Sequence, residues 1–409
     1  MKGWETKYLG DVADLCLGKM LDEKKNRGES LPYLANVNVR WGAFDLSNLR
    51  QMRFEPHEME RYGLKYGDIV MCEGGEPGRC AIWKENKPGM MIQKALHRIR
   101  PHDSLDSTFL YYSFLHKGNC DGFQQLFTGS TIKHLPKQNL EKIEIKYPPL
   151  PVQQQISNIL STYDDLIENN RRRIALLEQS ARLLYQEWFV RFRFPGHEKV
   201  KIVDGLPEGW SFERLKDITT KIGSGATPRG GEASYKDSGM TLIRSQNIYD
   251  YSFNDDGLVY IDDNQAKKLT NVSVTSNDIL LNITGASVGR CCKVIDRILP
   301  ARVNQHVMII RADSTTIQSN YLLQSINSRQ MKDHIMNIAR SGGATREALT
   351  KDTIGNLLIL IPKYELMEKY ERIVADIFLQ QQLFDLENKK LRQARDLLLP
   401  RLMSGEIAV

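Results

Sequence analysis

The sequence predicts an α+β fold built twice in tandem: two similar mixed α/β domains, each followed by one long helix, the two helices pairing as a coiled coil. Three observations predict it. An apolar seam with a 3.5-residue period runs through residues 151–194. A second seam follows it at a constant shift of 214 residues, and short motifs of residues 1–150 return in the same order in residues 207–364.

Steps of four and three from Ile156 land on Leu160, Tyr163, Ile167, Asn170, Ile174, Leu177, Ala181, Leu184 and Trp188. That is the pattern of a helix that supercoils against a partner. Pro151 suits the first turn, where its missing N–H is not needed, and Pro195-Gly196 ends the run. Some 40 residues at about 1.5 Å each span roughly 60 Å, more than a small domain is wide, so the helix needs a companion. The shift carries the seam onto Tyr370, Val374, Ile377, Gln381, Phe384, Asn388, Leu391, Arg395, Leu398 and Leu402. Asn170, Gln381, Asn388 and Arg395 are polar breaks, read as register-setting positions that cost stability.

The globular part is duplicated. Gly3-Trp4, Leu9 and Asp11-Val12 return as Gly209-Trp210, Leu215 and Asp217-Ile218. Gly67-Asp68-Ile69-Val70 returns as Asn277-Asp278-Ile279-Leu280, Gly78-Arg79-Cys80 as Gly289-Arg290-Cys291, and Gly129, Thr131 and Leu135 as Gly343, Thr345 and Leu349. The shift grows from 206 to 214, so the second copy carries small loop insertions. The divisions are a first domain at 1–150, a spacer helix at 151–194, a linker at 195–209, a second domain at 210–364 and a C-terminal helix at 365–409. Strand-like runs lie at Asp68–Cys72, Cys80–Trp83, Leu96–Arg100 and Lys142–Tyr147. Their counterparts are Asp278–Ile283, Cys291–Ile295, His306–Arg311 and Asn356–Ile361, and helical patterns sit at Ser107–Lys117 and Ser319–Ile338.

With 41% hydrophobic and 26% charged residues the composition is that of an ordinary soluble protein. No apolar run reaches bilayer length and six cysteines form no Cys-x-x-Cys pair, so buried thiols in the cytoplasm are expected. The net charge of +6 arises from the two globular blocks, with 22 basic against 19 acidic residues in 1–150 and 21 against 18 in 195–364. Such a surplus is compatible with a phosphate-contacting face. The glycine-rich loops fit no nucleotide-binding pattern, the eight histidines lack metal-ligand spacing, and no nucleophile motif is present. Catalysis is therefore not expected, and a twice-built domain on a stiff spacer reads as a recognition device for two stretches of duplex. A free-standing DNA-processing enzyme with an unrecognised acidic site is the alternative, and a coiled-coil adaptor that ignores nucleic acid a third.

Tyr147–Ile156 (YPPLPVQQQI) opens the first long helix and Leu183–Glu198 (LLYQEWFVRFRFPGHE) closes it. Leu206–Trp210 (LPEGW) opens the second repeat, and Gly223–Pro228 (GSGATP) forms an early loop. In these stretches and their order, across the whole chain, the sequence resembles the specificity subunits of Type I restriction–modification systems. The resemblance implies two target recognition domains, each reading half of a bipartite, asymmetric site in duplex DNA. It implies two antiparallel helices that fix the gap and dock two methylation subunits, and nuclease/translocase subunits joining the assembly. S-adenosylmethionine would sit on the methylation subunits, and this chain would hold no cofactor and no metal.

Within that expectation, residues common to both copies serve fold or phosphate contact and residues that differ carry the base code. Arg79, Arg290, Thr131 and Thr345 fall in the common class. Arg40, Trp41, Arg229, Arg244, Gln246 and Asn247 fall in the differing class. So do Lys133 and His134, Arg346 opposite Ile132, and Gln93-Lys94, aligned with Gln305-His306. Arginine and lysine suit guanine, asparagine and glutamine suit adenine. Arg171, Arg172 and Arg173 are candidates for the DNA backbone or an acidic partner face. Trp188 and Phe189 are candidates for partner docking or for packing within the chain.

Overall fold

The computed structural model describes residues 3–23, 26–85, 88–341 and 348–409. The chain divides into two compact units, Met1–Asn169 with Glu387–Val409, and Asn170–Leu386. Each unit holds one mixed domain and a stretch of both long helices.

In the first unit, strands Ala13–Leu17, Leu96–Pro101, Ile69–Cys72 and Cys80–Ile82 lie side by side in that order, all antiparallel. The central pair is buried on both faces, which fits its unbroken apolar run Ile69-Val70-Met71-Cys72. A smaller sheet places Glu29–Leu34 between Arg50–Phe54 and the parallel strand Met91–Ile92. Glu5–Tyr8 pairs with Glu144–Tyr147 and so brings the two ends of the domain together beneath the first long helix. The second unit repeats this plan. Thr219–Ser224, Val307–Ala312, Ile279–Asn282 and Cys291–Lys293 take the same order. Its smaller sheet joins Val259–Ile261, Met240–Ile243 and the parallel strand Ala301–Val303, and then gains a further strand, Ser273–Val274. The first unit makes the corresponding pairing only as an isolated bridge, Gly63 with Met91. The helical pattern over Ser319–Ile338 is two helices, Ser319–Asn327 and Arg329–Ser341, because Ser328 is extended between them.

The first long helix runs Leu150–Tyr185 and continues as a π-helical turn, Gln186–Val190. The second runs Tyr364–Ser404 and tolerates Pro400 in its last turns. All seam positions of both helices are buried or half-buried. In the first unit the start of one helix and the end of the other share a core, with Ile156 and Leu160 beside Leu399 and Leu402. In the second unit Ala181 and Tyr185 meet Tyr370 and Val374, so the helices run antiparallel. The linker at 195–209 is more ordered than its composition suggests, since Ile202–Val203 and Leu206–Pro207 pair as a small hairpin.

The signature residues explain how helix is tied to domain. Gln153 is fully buried: its carbonyl accepts from the Asp106 N–H at 2.8 Å and its amide donates to the Pro148 and Ser104 carbonyls. Asp106 in turn caps the helix Ser107–Asn119 and accepts from the Ser157 hydroxyl at 2.6 Å. In the second unit the tie is aromatic. Phe189 packs edge-on against Tyr321 and Tyr370, with Trp188, Tyr185 and Trp210 around it.

One charged pair recurs inside both domains. Arg100 donates two bonds of 2.7 Å to buried Asp68, and Arg311 donates bonds of 2.7 and 2.8 Å to buried Asp278. Each carboxylate also accepts a backbone N–H of the turn before it, from Lys65 or Thr275. A bidentate pair clamps the central strands and that turn at once. Asp68→Ala leaves a guanidinium and a turn N–H without partners and should cost about 3 kcal/mol. Hydrogen exchange should show the loss in the first unit, and Asp278→Ala should move it to the second.

Candidate nucleic-acid interface

At one end of each large sheet, four connections converge. In the first unit they are residues 35–45, 73–79, 93–95 and 128–134. The Glu73 N–H donates to the Ala95 carbonyl, and the Glu73 carbonyl accepts from the Leu135 N–H, each at 2.8 Å. Arg79 lies beneath the cluster. Its guanidinium donates to the Asn36 carbonyl at 3.0 Å and pairs with Glu76 at 2.6 Å. The Asn36 amide reaches the Gly74 carbonyl, and the His134 ring lies over Gly74 so closely that a Cβ there would stand 3.1 Å from Nδ1.

The second unit builds the same cluster with other side chains. The Ile283 N–H donates to the His306 carbonyl, and the Ile283 carbonyl accepts from the Leu349 N–H. Asn282 donates to the Ser245 carbonyl at 2.9 Å, Arg290 stacks over the Tyr249 ring at 4.8 Å, and Thr284 meets His306 Nδ1 at 2.7 Å. Gly18 and Gly225 mark the same backbone crossing, since a Cβ on either would fall within 2.4 Å of Gln93 O or 2.1 Å of Asn304 O.

These bonds correct the sequence alignment. Ala95 and His306 play one part and Gly18 and Gly225 another, so Gln93 stands opposite Asn304 and Lys94 opposite Gln305. The pairing Gln93-Lys94 with Gln305-His306 is out by one residue.

The cluster gathers most of the candidates. Arg40, Trp41, Thr131, Lys133 and His134 are exposed on it, with Lys133 hydrogen-bonded to Gln124 and Trp41 lying against Gly118. Gln93 and Lys94 are half-buried beside it. Arg244 donates to the Gly257 carbonyl and covers the Tyr235 ring, Gln246 and Gln305 are exposed, and His306 and Arg290 are half-buried. Arg229 is exposed on a separate loop that Gln265 holds through its backbone. Thr345 and Arg346 lie outside the described residues.

Two assignments change. Asn247 is fully buried and cannot face a base: its carbonyl accepts from the Arg244 N–H at 3.0 Å and its amide donates to the Asn254 carbonyl at 2.9 Å. Trp188 and Phe189 are core residues of the second unit, so they offer nothing to a partner. Arg171, Arg172 and Arg173 are exposed on the first long helix, Arg173 over the Phe384 ring at 5.5 Å. Sequence reasoning also missed Asn38, which makes the same bonds as Asn247: from the Ala35 N–H at 3.0 Å and to the Asp45 carbonyl at 3.0 Å. Its signal was present, in Leu34-Ala35-Asn36-Val37-Asn38-Val39 set against Ile243-Arg244-Ser245-Gln246-Asn247-Ile248.

No group of His, Cys, Asp and Glu among the described residues could hold a metal ion, and no helix among them is long and apolar enough to cross a membrane. A chain that sets two copies of one rigid loop cluster in two copies of one domain, with different side chains outward, is a two-module recognition protein. The chain belongs to the family described as Type I restriction modification DNA specificity domain, whose model matches residues 1–179 and again 207–394, and it is a specificity subunit, not a catalytic one.

Among its relatives are the Type I restriction enzyme MjaIX specificity subunit of Methanocaldococcus jannaschii, 24% identical over 100% of this chain and 94% of that protein. Another is the HindI specificity subunit of Haemophilus influenzae, 23% identical over 100% of both. The crystal structure of the Type I restriction–modification S subunit from M. genitalium shares the fold, with a TM-score of 0.59 at 17% identity over 98% of this chain and 96% of that one.

His97 gives the first cluster a dependence on acid. It is fully buried on the central strand, and its Nε2–H donates at 2.8 Å to the carbonyl of Leu135, where the loop 128–134 ends. Burial holds the imidazole below its ordinary value; the Leu135 carbonyl and Glu73 oppose this and Lys137 adds to it. The unfolded chain then takes up the proton more readily than the folded one, so stability falls as pH drops below about 6.5 toward the folded value. The unfolding temperature of the first unit should fall more between pH 7 and pH 5 in the wild type than in His97→Gln, which keeps a donor without the titration.

Proposed function

We propose that the chain reads a bipartite, asymmetric site in duplex DNA, one half with each domain, and holds the methylation and nuclease/translocase subunits that act there. The observation that carries this reading is the double construction of the loop cluster. Its internal bonds repeat from domain to domain, while its outward side chains, Arg40, Trp41 and His134 against Tyr249, Asp250 and Ala348, do not. A shared frame with unlike surfaces suits two different half-sites. Exposed cations such as Arg40, Lys133 and Arg229 supply the phosphate attraction, and polar loop side chains the base discrimination.

The long helices hold the two readers in register and carry the partners. On the first helix, exposed Ile159 and Leu166 are seven residues apart in one unit, and Leu176 and Leu183 are seven apart in the other. Each pair forms a short apolar stripe away from the seam, one per unit, which matches the docking of two methylation subunits. Arg171 to Arg173, exposed between those stripes, face either the DNA backbone or an acidic surface of such a subunit. S-adenosylmethionine belongs on the methylation subunits, and the chain works in the cytoplasm where they do.

Purified alone with duplex DNA, Mg²⁺ and S-adenosylmethionine, the chain should neither cut nor methylate; turnover by the chain itself would make it an enzyme. With its methylation subunits it should methylate adenines in a split site. Inserting seven residues into both helices keeps the seam in phase and adds about 10 Å. The gap selected from a random library should then widen by about three base pairs, and an unchanged gap would remove the helices as the spacer.

A further inference from the structure

The turn around Asn38 and the turn around Asn247 are one device. In each, the asparagine carbonyl accepts an N–H three residues back, and its amide donates to a carbonyl seven residues on. In each, the strand next door braces the turn: the N–H of Gly42 or Tyr251 donates at 3.0 Å to the carbonyl of Cys80 or Cys291. Both of those residues have left-handed backbones, φ 71° for Gly42 and 62° for Tyr251, the latter an unusual conformation for a tyrosine. The carbonyl just before the tip is held from beneath in both, by Arg79 on Asn36 and by Asn282 on Ser245.

The tip itself is Val37 in one copy and Gln246 in the other. Val37 is 61% exposed on a turn that cannot collapse around it. The residues that flank the tip on its far side are engaged in the frame. Arg40 donates to the Val37 carbonyl at 2.7 Å, and Tyr249 lies under Arg290. A rigid turn whose tip side chain projects fits the major groove, roughly 12 Å wide, and presents that side chain to a base edge.

We propose that Val37 and Gln246 are equivalent base-reading residues of the two domains, Val37 packing on a thymine methyl in one half-site and Gln246 hydrogen-bonding an adenine in the other. Asn38 and Asn247 are the positioning residues beneath them. This assignment rests on the bipartite reading above and names the side chains that carry it.

The test uses the full chain assembled with its methylation subunits, a random duplex library, S-adenosylmethionine, and sequencing of the methylated products. Gln246→Val should lose adenine preference by about tenfold to a hundredfold at one position of one half-site. Val37→Gln should change preference at one position of the other half-site, with every other position and the gap as in the wild type. Both residues are exposed, so the unfolding temperature should not move. If Val37→Gln lowers it, Val37→Ser serves instead and should weaken the thymine preference. Wild-type base preferences at every position in both variants would overturn the assignment while leaving the two-half reading intact. A wild-type complex that selects one continuous site, or none, would instead overturn both.

Discussion

The constraint on which the rest of the structure depends is that neither long helix can bury its seam alone. Leu150–Tyr185 and Tyr364–Ser404 lie more than 175 residues apart in sequence, yet each unit contains a stretch of both. In the first unit the start of one helix is buried with the end of the other, and in the second the opposite ends meet. A domain inserted between the helices must therefore return the chain to where it left. For the second domain, the one that lies between them, the pairing of Ser211–Arg214 with Leu358–Ile361 does this by closing its base, and the pairing of Glu5–Tyr8 with Glu144–Tyr147 closes the first domain in the same way. Closed bases leave the far end of each sheet for loops, and that is where the clusters lie.

The polar breaks in the seam show how a paired helix can hold its register without a fully apolar interface. Gln381 donates to the Ile174 carbonyl at 3.3 Å. Arg395, half-buried, pairs with Asp164, which also accepts from the Tyr112 hydroxyl at 2.7 Å. Burial works against the Arg395 charge, but Asp164 and Asp396 more than offset it and raise its pKa above the ordinary arginine value. A slip of one heptad would put Ser157 or Arg171 where Asp164 stands and so remove this carboxylate from the guanidinium. The same ion pair joins helix to domain through Tyr112, so it ties the register of the helices to the position of the sheet.

The duplication and the two seams were legible in the sequence because both are periodic signals, and each is written over many residues. What was not legible has specific physical causes. Ala13–Leu17 and Arg50–Phe54 are short edge strands with mixed faces, and their residues give no clean alternation. The helix break at Ser328 needs only one extended residue, without a proline or glycine to announce it. Asn247 reads as a solvated loop amide, yet it is buried because two backbone groups of its own turn need its amide. Trp188 falls on the seam as expected, but the π-helical turn brings its neighbour Phe189 into the same aromatic core. The one-residue error at Gln93 arose because Gln-Lys and Gln-His resemble each other more than Gln-Lys and Asn-Gln do. The backbone bonds of Glu73 and Ile283, with the crossings at Gly18 and Gly225, decide between them.

These causes share a pattern that bears on how such a protein can change what it recognises. Three pairs that repeat between the copies, Asp68 with Asp278, Arg100 with Arg311 and Asn38 with Asn247, are buried or half-buried and are hydrogen-bonded within the frame. Replacing any of them leaves an unpaired polar group inside, which is costly wherever the rest of the fold is unchanged. Val37 and Gln246 differ completely in polarity, and each sits where water or a base edge can meet it, so exchange there costs the fold little. On the proposed assignment, stability and base preference are carried by separate residues only a position apart in the chain. A frame of that kind can drift in what it reads without passing through an unfolded intermediate.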